Sequence, residues 1–191
     1  MGSSASPPTR LPIERGSAGL AALFDEVPAD RSHAILDLGA AAAPSFAVYG
    51  RYARWIRFAD VLTAASTASA EAVADLPANP RRPYDLLFGW DIFDRLPAAT
   101  RHLWIARLAE VAAPGARLLI VLKSPEENSQ YLHRFTVLAA DRLRIDPGGE
   151  LRPPPPAIAP AKVKGVIAPF HLRNAFTTRV GLREYIAILP R

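Results

Sequence analysis

Two short stretches of this chain carry residue types that can do chemistry. The first is an apolar run that closes on an acid and a glycine, Ile35-Leu36-Asp37-Leu38-Gly39, followed by the small residues Ala40-Ala41-Ala42-Ala43-Pro44-Ser45. A strand, a glycine turn and then a helix bring backbone N–H groups and a helix N-terminus to a nucleotide-like ligand. A single glycine there is also what many plain strand-to-helix turns contain. The second stretch holds Asp91 and Asp94, three positions apart at the end of another apolar run. They read either as paired carboxylates for acid–base work or as a solvated turn.

Other chemistries find no support. The four histidines, at 33, 102, 133 and 171, form no pair at metal-ligand spacing, and cysteine is absent, which removes disulfides and thiolate metal sites. There is no Gly-x-Ser-x-Gly elbow, no GxxxxGK phosphate loop, and no Asn/Asp-Pro-Pro-Tyr/Phe run. No apolar run reaches the length of a membrane helix, and the N-terminal MGSSASPPTR lacks the apolar core of a secretory signal. A cytoplasmic protein is the expectation. The net charge of +5 is concentrated at the C-terminal end, where residues 151–191 hold seven Lys/Arg and one acid, Glu184. Such an end attracts phosphates or an acidic partner, or is simply an arginine-rich solvent face. It has no aromatic-basic interleave, so nucleic acid ranks last among the partners.

The elements that must position these residues can be read along the 191-residue chain, a length that suits one domain. Residues 1–17 are Ser/Pro/Gly/Arg-rich and are expected to be disordered or loosely ordered, leaving 18–191 as the folded domain. Gly19 to Val27 has helical spacing. His33 to Leu38 reads as a buried strand, Ser45 to Trp55 as a helix with Phe46, Tyr49, Ala53 and Trp55 as core contacts, Trp55 to Leu62 as a strand, and Thr63 to Leu76 as a helix. Tyr84 to Trp90 and Ala116 to Leu122 are strands flanking a helix over Pro97 to Ala113, stopped by Pro114-Gly115. Strand and helix alternate over 33–122, which argues a parallel sheet covered by helices. Ser124 to Leu132 reads as a short helix, and Phe135 to Ile145 as a hairpin or a strand with a turn at Ala140-Asp141. Residues 124–160, which contain four consecutive prolines, read as an insertion or lid. Ala161 to Ala168 is helical, and His171 to Thr178 with Arg183 to Leu189 forms an antiparallel hairpin.

Taken together, ILDLG, YDLLFGWDIFDRLP, RHLWIARLAEVAAPGARLLIVL and the closing FHLRNAFTTRVGLREYIAIL resemble, in order, motifs of the class I S-adenosylmethionine-dependent methyltransferases. These are the first motif, the fourth-strand motif, the following helix with the fifth strand, and the terminal antiparallel hairpin. The resemblance covers roughly residues 19–189. It implies an α/β fold: a Rossmann-like, doubly wound, mostly parallel sheet with helices on both faces and a C-terminal antiparallel hairpin. The stretch from Leu62 to Tyr84 is short for the usual third strand and its helices. A nicotinamide-binding sheet is the rival, and the terminal hairpin suits it less well.

By position, the resemblance implies that Asp37 and Gly39 line the amino-acid part of S-adenosylmethionine. It implies that Asp60 meets the ribose hydroxyls, and a cap at the strand end is the alternative for that residue. Asp91 falls where acceptor and methyl donor meet and is the candidate catalytic residue. Trp90 either walls that site or packs in the core, and Lys123 and Ser124 share the rim. The family's second and third loop glycines fall at Ala41 and Ala43, and its Pro-Gly-Gly is Pro114-Gly115-Ala116. An added methyl that overpacks costs roughly 1–3 kcal/mol, about a 5- to 150-fold loss of affinity. A histidine common after the fourth strand is replaced by Arg95. Two functions follow. One is methyl transfer to an O or N acceptor, small molecule or protein, with S-adenosylmethionine as cofactor. The other is a catalytically inactive, methyltransferase-shaped subunit whose cofactor site is weakened or lost and which binds a protein partner.

Overall fold

The computed structural model describes residues 11–61, 76, 82–124, 131–150, 157–178 and 181–191. In chain order, Ile13–Gly16 forms β1, Ala18–Asp25 α1, His33–Asp37 β2, Ala43–Tyr49 α2, Ala53–Phe58 β3 and Tyr84–Trp90 β4. A single helical turn, α3 (Ile92–Arg95), leads into α4 (Ala98–Val111) and β5 (Ala112–Lys123). Then come β6 (Tyr131–Ala139), β7 (Arg142–Glu150), α5 (Pro160–Val166), β8 (His171–Thr177) and β9 (Leu182–Ile188).

The central sheet has the order β3-β2-β4-β5-β9-β8. Its first four strands run parallel; β9 is antiparallel to β5 and β8 antiparallel to β9. β2 and β4 are buried almost throughout, which is why their sequences are continuous apolar runs rather than alternating ones. From β2 the chain crosses through α2 to β3 on one side, and from β4 through α4 to β5 on the other. Right-handed crossovers in opposite directions place α2 and α4 on opposite faces. The strand order reverses between β3 and β4 around β2, so the crevice of this sheet opens at the carboxyl ends of β2 and β4.

A second, three-stranded antiparallel sheet has the order β1-β7-β6. The expected hairpin turn at Ala140-Asp141 joins β6 to β7. Residues 13–17, expected to be loosely ordered, are instead built into the fold. β1 pairs with β7, and Ser17 caps α1 by accepting the Leu20 N–H at 3.1 Å. A buried carboxylate from β9 fixes the same segment. Glu184 accepts from Arg15 at 2.6 Å, from Ser17 Oγ at 2.9 Å and from the Gly19 N–H at 2.6 Å. A Cβ at Gly19 would stand 2.8 Å from that carboxylate, so only glycine lets it reach the start of the helix.

Several boundaries differ from the sequence reading. α2 ends at Tyr49 and β3 begins at Ala53, so Phe46 and Trp55 point outward, 59% and 56% exposed, instead of into the core. α4 gives way at Val111, and Pro114-Gly115 lies inside β5. There Gly115 takes a left-handed φ of 82° and donates to the Leu189 carbonyl at 2.9 Å. The helix expected over 63–76 falls outside the described residues apart from Leu76. Residues 125–130 of the one expected over 124–132 also fall outside, and its last two residues belong to β6 rather than to a helix; residues 151–156 of the proline-rich stretch fall outside as well.

Candidate functional site

At the mouth of the crevice, β2 ends on Asp37 and β4 ends on Trp90. Asp37 is buried, and its carboxylate accepts three hydrogen bonds: from the Gly39 N–H at 2.7 Å, the Tyr49 hydroxyl at 2.7 Å and Trp90 Nε1–H at 2.5 Å. Burial pushes its pKa up from 3.8 to about 6, against the opposing pull of these donors. The Tyr49 hydroxyl is raised well above its usual range by burial and by the neighbouring carboxylate. Trp90 has a left-handed φ of 47°, beside a register shift in the β4–β5 pairing. A non-glycine residue in that region is strained by about 1–3 kcal/mol and persists only where its surroundings hold it. Here the Asp37 hydrogen bond and two ring stacks hold it. The indole lies 5.0 Å from Phe135, nearly parallel at 4°, and 5.5 Å from Phe88. Phe88 stacks in turn on Tyr49 at 4.8 Å. Phe135 comes from β6, so the second sheet closes this end of the crevice. The Val137 N–H, two residues on, donates to Ser45 Oγ at the start of α2 at 2.9 Å.

Asp91 lies one residue beyond this cluster in a separate buried polar group. Arg95 holds it with a short ion pair at 2.6 Å, and His133 Nδ1 is 3.4 Å away. Burial alone would raise the Asp91 pKa, but the Arg95 guanidinium and His133 overturn that effect and hold it below the usual carboxylate range. Asp94 is also buried and accepts the Lys123 N–H at 2.6 Å. Burial raises its pKa to about 7, and the Asp91 charge adds to the rise. The two carboxylates are therefore not a solvated turn, and Asp94 keeps one buried oxygen, Oδ1, without a hydrogen-bond partner. One neutralises Arg95 and the other ties α3 to the end of β5.

The structure brings Asp37, Gly39 and Trp90 together. Asp60 stands close by in backbone terms, exposed, with a left-handed φ of 48° and its N–H donating to the Gly39 carbonyl at 3.1 Å. Ala41 is exposed in the loop before α2. Lys123 and Ser124, expected on the rim, are both buried, and the Ser124 N–H donates to the Gly181 carbonyl. Sequence reasoning missed Phe135 and His133, which reach the crevice from β6. The Asp91–Arg95 pair did carry a signal, since residues four apart face each other on a helix. Among the described residues no group of His, Asp and Glu is arranged to hold a metal ion, and no helix is long and apolar enough to cross a membrane.

No protein-family model matches this sequence, and no curated protein matches it. Solved structures do. The glycopeptide N-methyltransferase MtfA, complexed with S-adenosyl-L-homocysteine, superposes with a TM-score of 0.51 at 16% identity, over 90% of this chain and 89% of that one. The N-methyltransferase NodS from Bradyrhizobium japonicum WM9 gives 0.52 at 12% identity, over 90% and 94%. The 1,6-didemethyltoxoflavin-N1-methyltransferase of Burkholderia thailandensis gives 0.50 at 14%, over 92% and 80%. The chain therefore has the class I S-adenosylmethionine-dependent methyltransferase fold. Among the described strands, none lies outside β3, which forms that edge of the sheet. Identities this low establish the fold, and the activity has to be argued from the site.

The cofactor that this fold implies needs room beside the first loop glycine for its amino-acid end. A Cβ on Gly39 would stand 3.1 Å from Asp37 Oδ1 and 3.3 Å from Trp90 Nε1, so the indole fills the space next to this glycine. The acid that would meet the ligand is already engaged by three internal donors. The residues present do not fit the amino-acid half of S-adenosylmethionine as they stand. The ribose side differs, because Asp60 is exposed.

Proposed function

We propose that this chain is a methyltransferase-fold binding subunit that does not transfer methyl groups. The observation that carries this reading is the Asp37–Trp90 hydrogen bond, sealed by Phe135, in the place where the fold would receive the methionine end of the cofactor. Opening that place means breaking a buried charge-assisted hydrogen bond and an aromatic stack, and the ligand would have to offset both. The engagement of Asp91 by Arg95 adds support, because the candidate catalytic carboxylate is committed to an internal ion pair. Phe46 on α2 and Trp55 on β3 offer such a subunit exposed aromatic surface for a protein partner.

Calorimetric titration with S-adenosylmethionine and S-adenosylhomocysteine tests the proposal. The expected result is no saturable binding by the natural chain in the micromolar range, with binding gained in a Trp90→Ala/Phe135→Ala variant that still melts cooperatively. Micromolar binding by the natural chain, weakened by Asp60→Asn, would overturn it. The exposed Asp60 beside Gly39 favours that second reading, an active methyltransferase whose Trp90 swings aside and which relies on positioning rather than on a base.

A further inference from the structure

A groove of about 700 Å³ lies between α4 and the segment that carries α5. It shares no residue with the Asp37–Trp90 cluster. Its size is that of a small-molecule site. The walls are apolar, with Ile105, Ile158 and Val166 among them. Among the described residues, the charged or titratable side chains lining it are Arg101, His102 and Lys162, with no acid. Arg101 is the most constrained of the three. Its Nε donates to the Phe93 carbonyl at 2.8 Å, which anchors the base of the guanidinium. Among the described residues no carboxylate forms an ion pair with Arg101 or Lys162. Half-buried as it is, the guanidinium is partly stripped of water; that burial lowers its pKa, and the Asp94 carboxylate, which acts on it without forming an ion pair, opposes the shift. A desolvated cation with outer N–H groups unclaimed by a carboxylate gains most from an anion that brings its own apolar cover.

We infer that this groove binds a small amphipathic carboxylate, an acyl or aryl acid whose apolar body lies along Ile105, Ile158 and Val166 and whose carboxylate meets Arg101 and Lys162. The charge of the lining excludes a cationic amphiphile, and the apolar walls disfavour a small hydrophilic anion such as free phosphate. A guanidinium's planar fork matches a carboxylate in two-point contact, and the Lys162 ammonium adds a point charge.

Decanoate, decan-1-ol and decyltrimethylammonium, titrated calorimetrically into the full chain, test this. Decanoate should bind saturably at one site, about tenfold or more tighter than decan-1-ol, as expected for one charge-assisted contact. The cation should not bind. Raising the salt should weaken decanoate and leave decan-1-ol unchanged. Gly165 lies on the groove wall, and nothing stands within 4 Å of where its Cβ would be. Gly165→Trp should therefore fold and block the groove, lowering decanoate affinity at least tenfold, and Lys162→Glu should do so without filling it. Equal affinity for decanoate and decan-1-ol, binding untouched by Gly165→Trp in a protein with the natural melting temperature, or no decanoate binding into the millimolar range would each overturn the assignment. None of these outcomes depends on whether S-adenosylmethionine binds.

Discussion

Asp37 and Asp94 keep their protons to higher pH in the folded chain than in the unfolded one, with pKa values of about 6 and about 7 against an ordinary 3.8. Between about pH 4 and 7 the native state therefore binds more protons, so stability falls as pH rises through that window and is level above it. Asp91 runs the other way. Its pKa is lowered by Arg95, so its contribution is present above the ordinary carboxylate range and is lost only in stronger acid. Urea unfolding should show a midpoint that climbs from pH 8 to pH 5, as the unfolding free energy rises by about 1–3 kcal/mol for each of the two raised carboxylates. Asp94→Asn keeps an acceptor for the Lys123 N–H and should flatten the upper part of that climb. A midpoint independent of pH would refute the assignment of both groups as buried acids. Asp37 and Gly39 were legible in the sequence because acid, spacer and glycine are adjacent. The donors that close around Asp37 were not, because Tyr49 and Trp90 come from elements 12 and 53 positions away and nothing local marks their hydroxyl or indole N–H as partners.

Strands flanked by turn signals were read closely: β4 over Tyr84–Trp90, and the β8–β9 hairpin within a residue or two. The errors lie where tertiary pairing overrides local punctuation. Pro114-Gly115 reads as a helix stop, yet backbone pairing to β4 and β9 extends β5 through it, with Gly115 absorbing the distortion. β1 carries no alternation long enough to register as a strand and exists because β7 offers it an edge. The β6–β7 hairpin was visible as an excursion, but its docking onto the crevice depends on Phe135, a residue unremarkable in sequence. Phe135→Ala should destabilise the protein by about 3–5 kcal/mol, the usual range for removing a buried aromatic. It should also shift tryptophan emission to the red as Trp90 gains water. An unshifted spectrum with near-natural stability would mean that β6 does not seal the site.

At the scale of the molecule, the two sheets share one apolar core, which includes Phe135, Val137, Leu143 and Ile145, and a few polar latches join them further. Arg15 and the Ser17–Gly19 segment meet Glu184, the Val137 N–H meets Ser45, and Arg95 Nη2 donates to the His133 carbonyl at 2.5 Å. Glu184 is fully buried, so removing its partners leaves an uncompensated charge. A chain lacking residues 1–17 should lose about 3–5 kcal/mol in chemical denaturation. Glu184→Gln should restore part of that loss in the shortened chain while costing stability in the full one. Failure of the second change to rescue the first would show that β1 contributes through its backbone pairing alone.

The same latch joins segments that lie far apart in sequence. Ile13 pairs with Ile145, and Arg15 meets a carboxylate 169 positions later. β9 must slot between β5 and β8 before the central sheet is continuous. The strand at positions 13–16 therefore finds its sheet partner only once residues 142–145 exist, and its ion-pair partner only once Glu184 does. Contacts this distant in sequence form slowly, because loop closure precedes the gain they bring. Until Leu182–Ile188 is available, the edge of β5 that β9 covers stays unpaired and the six-stranded sheet cannot close.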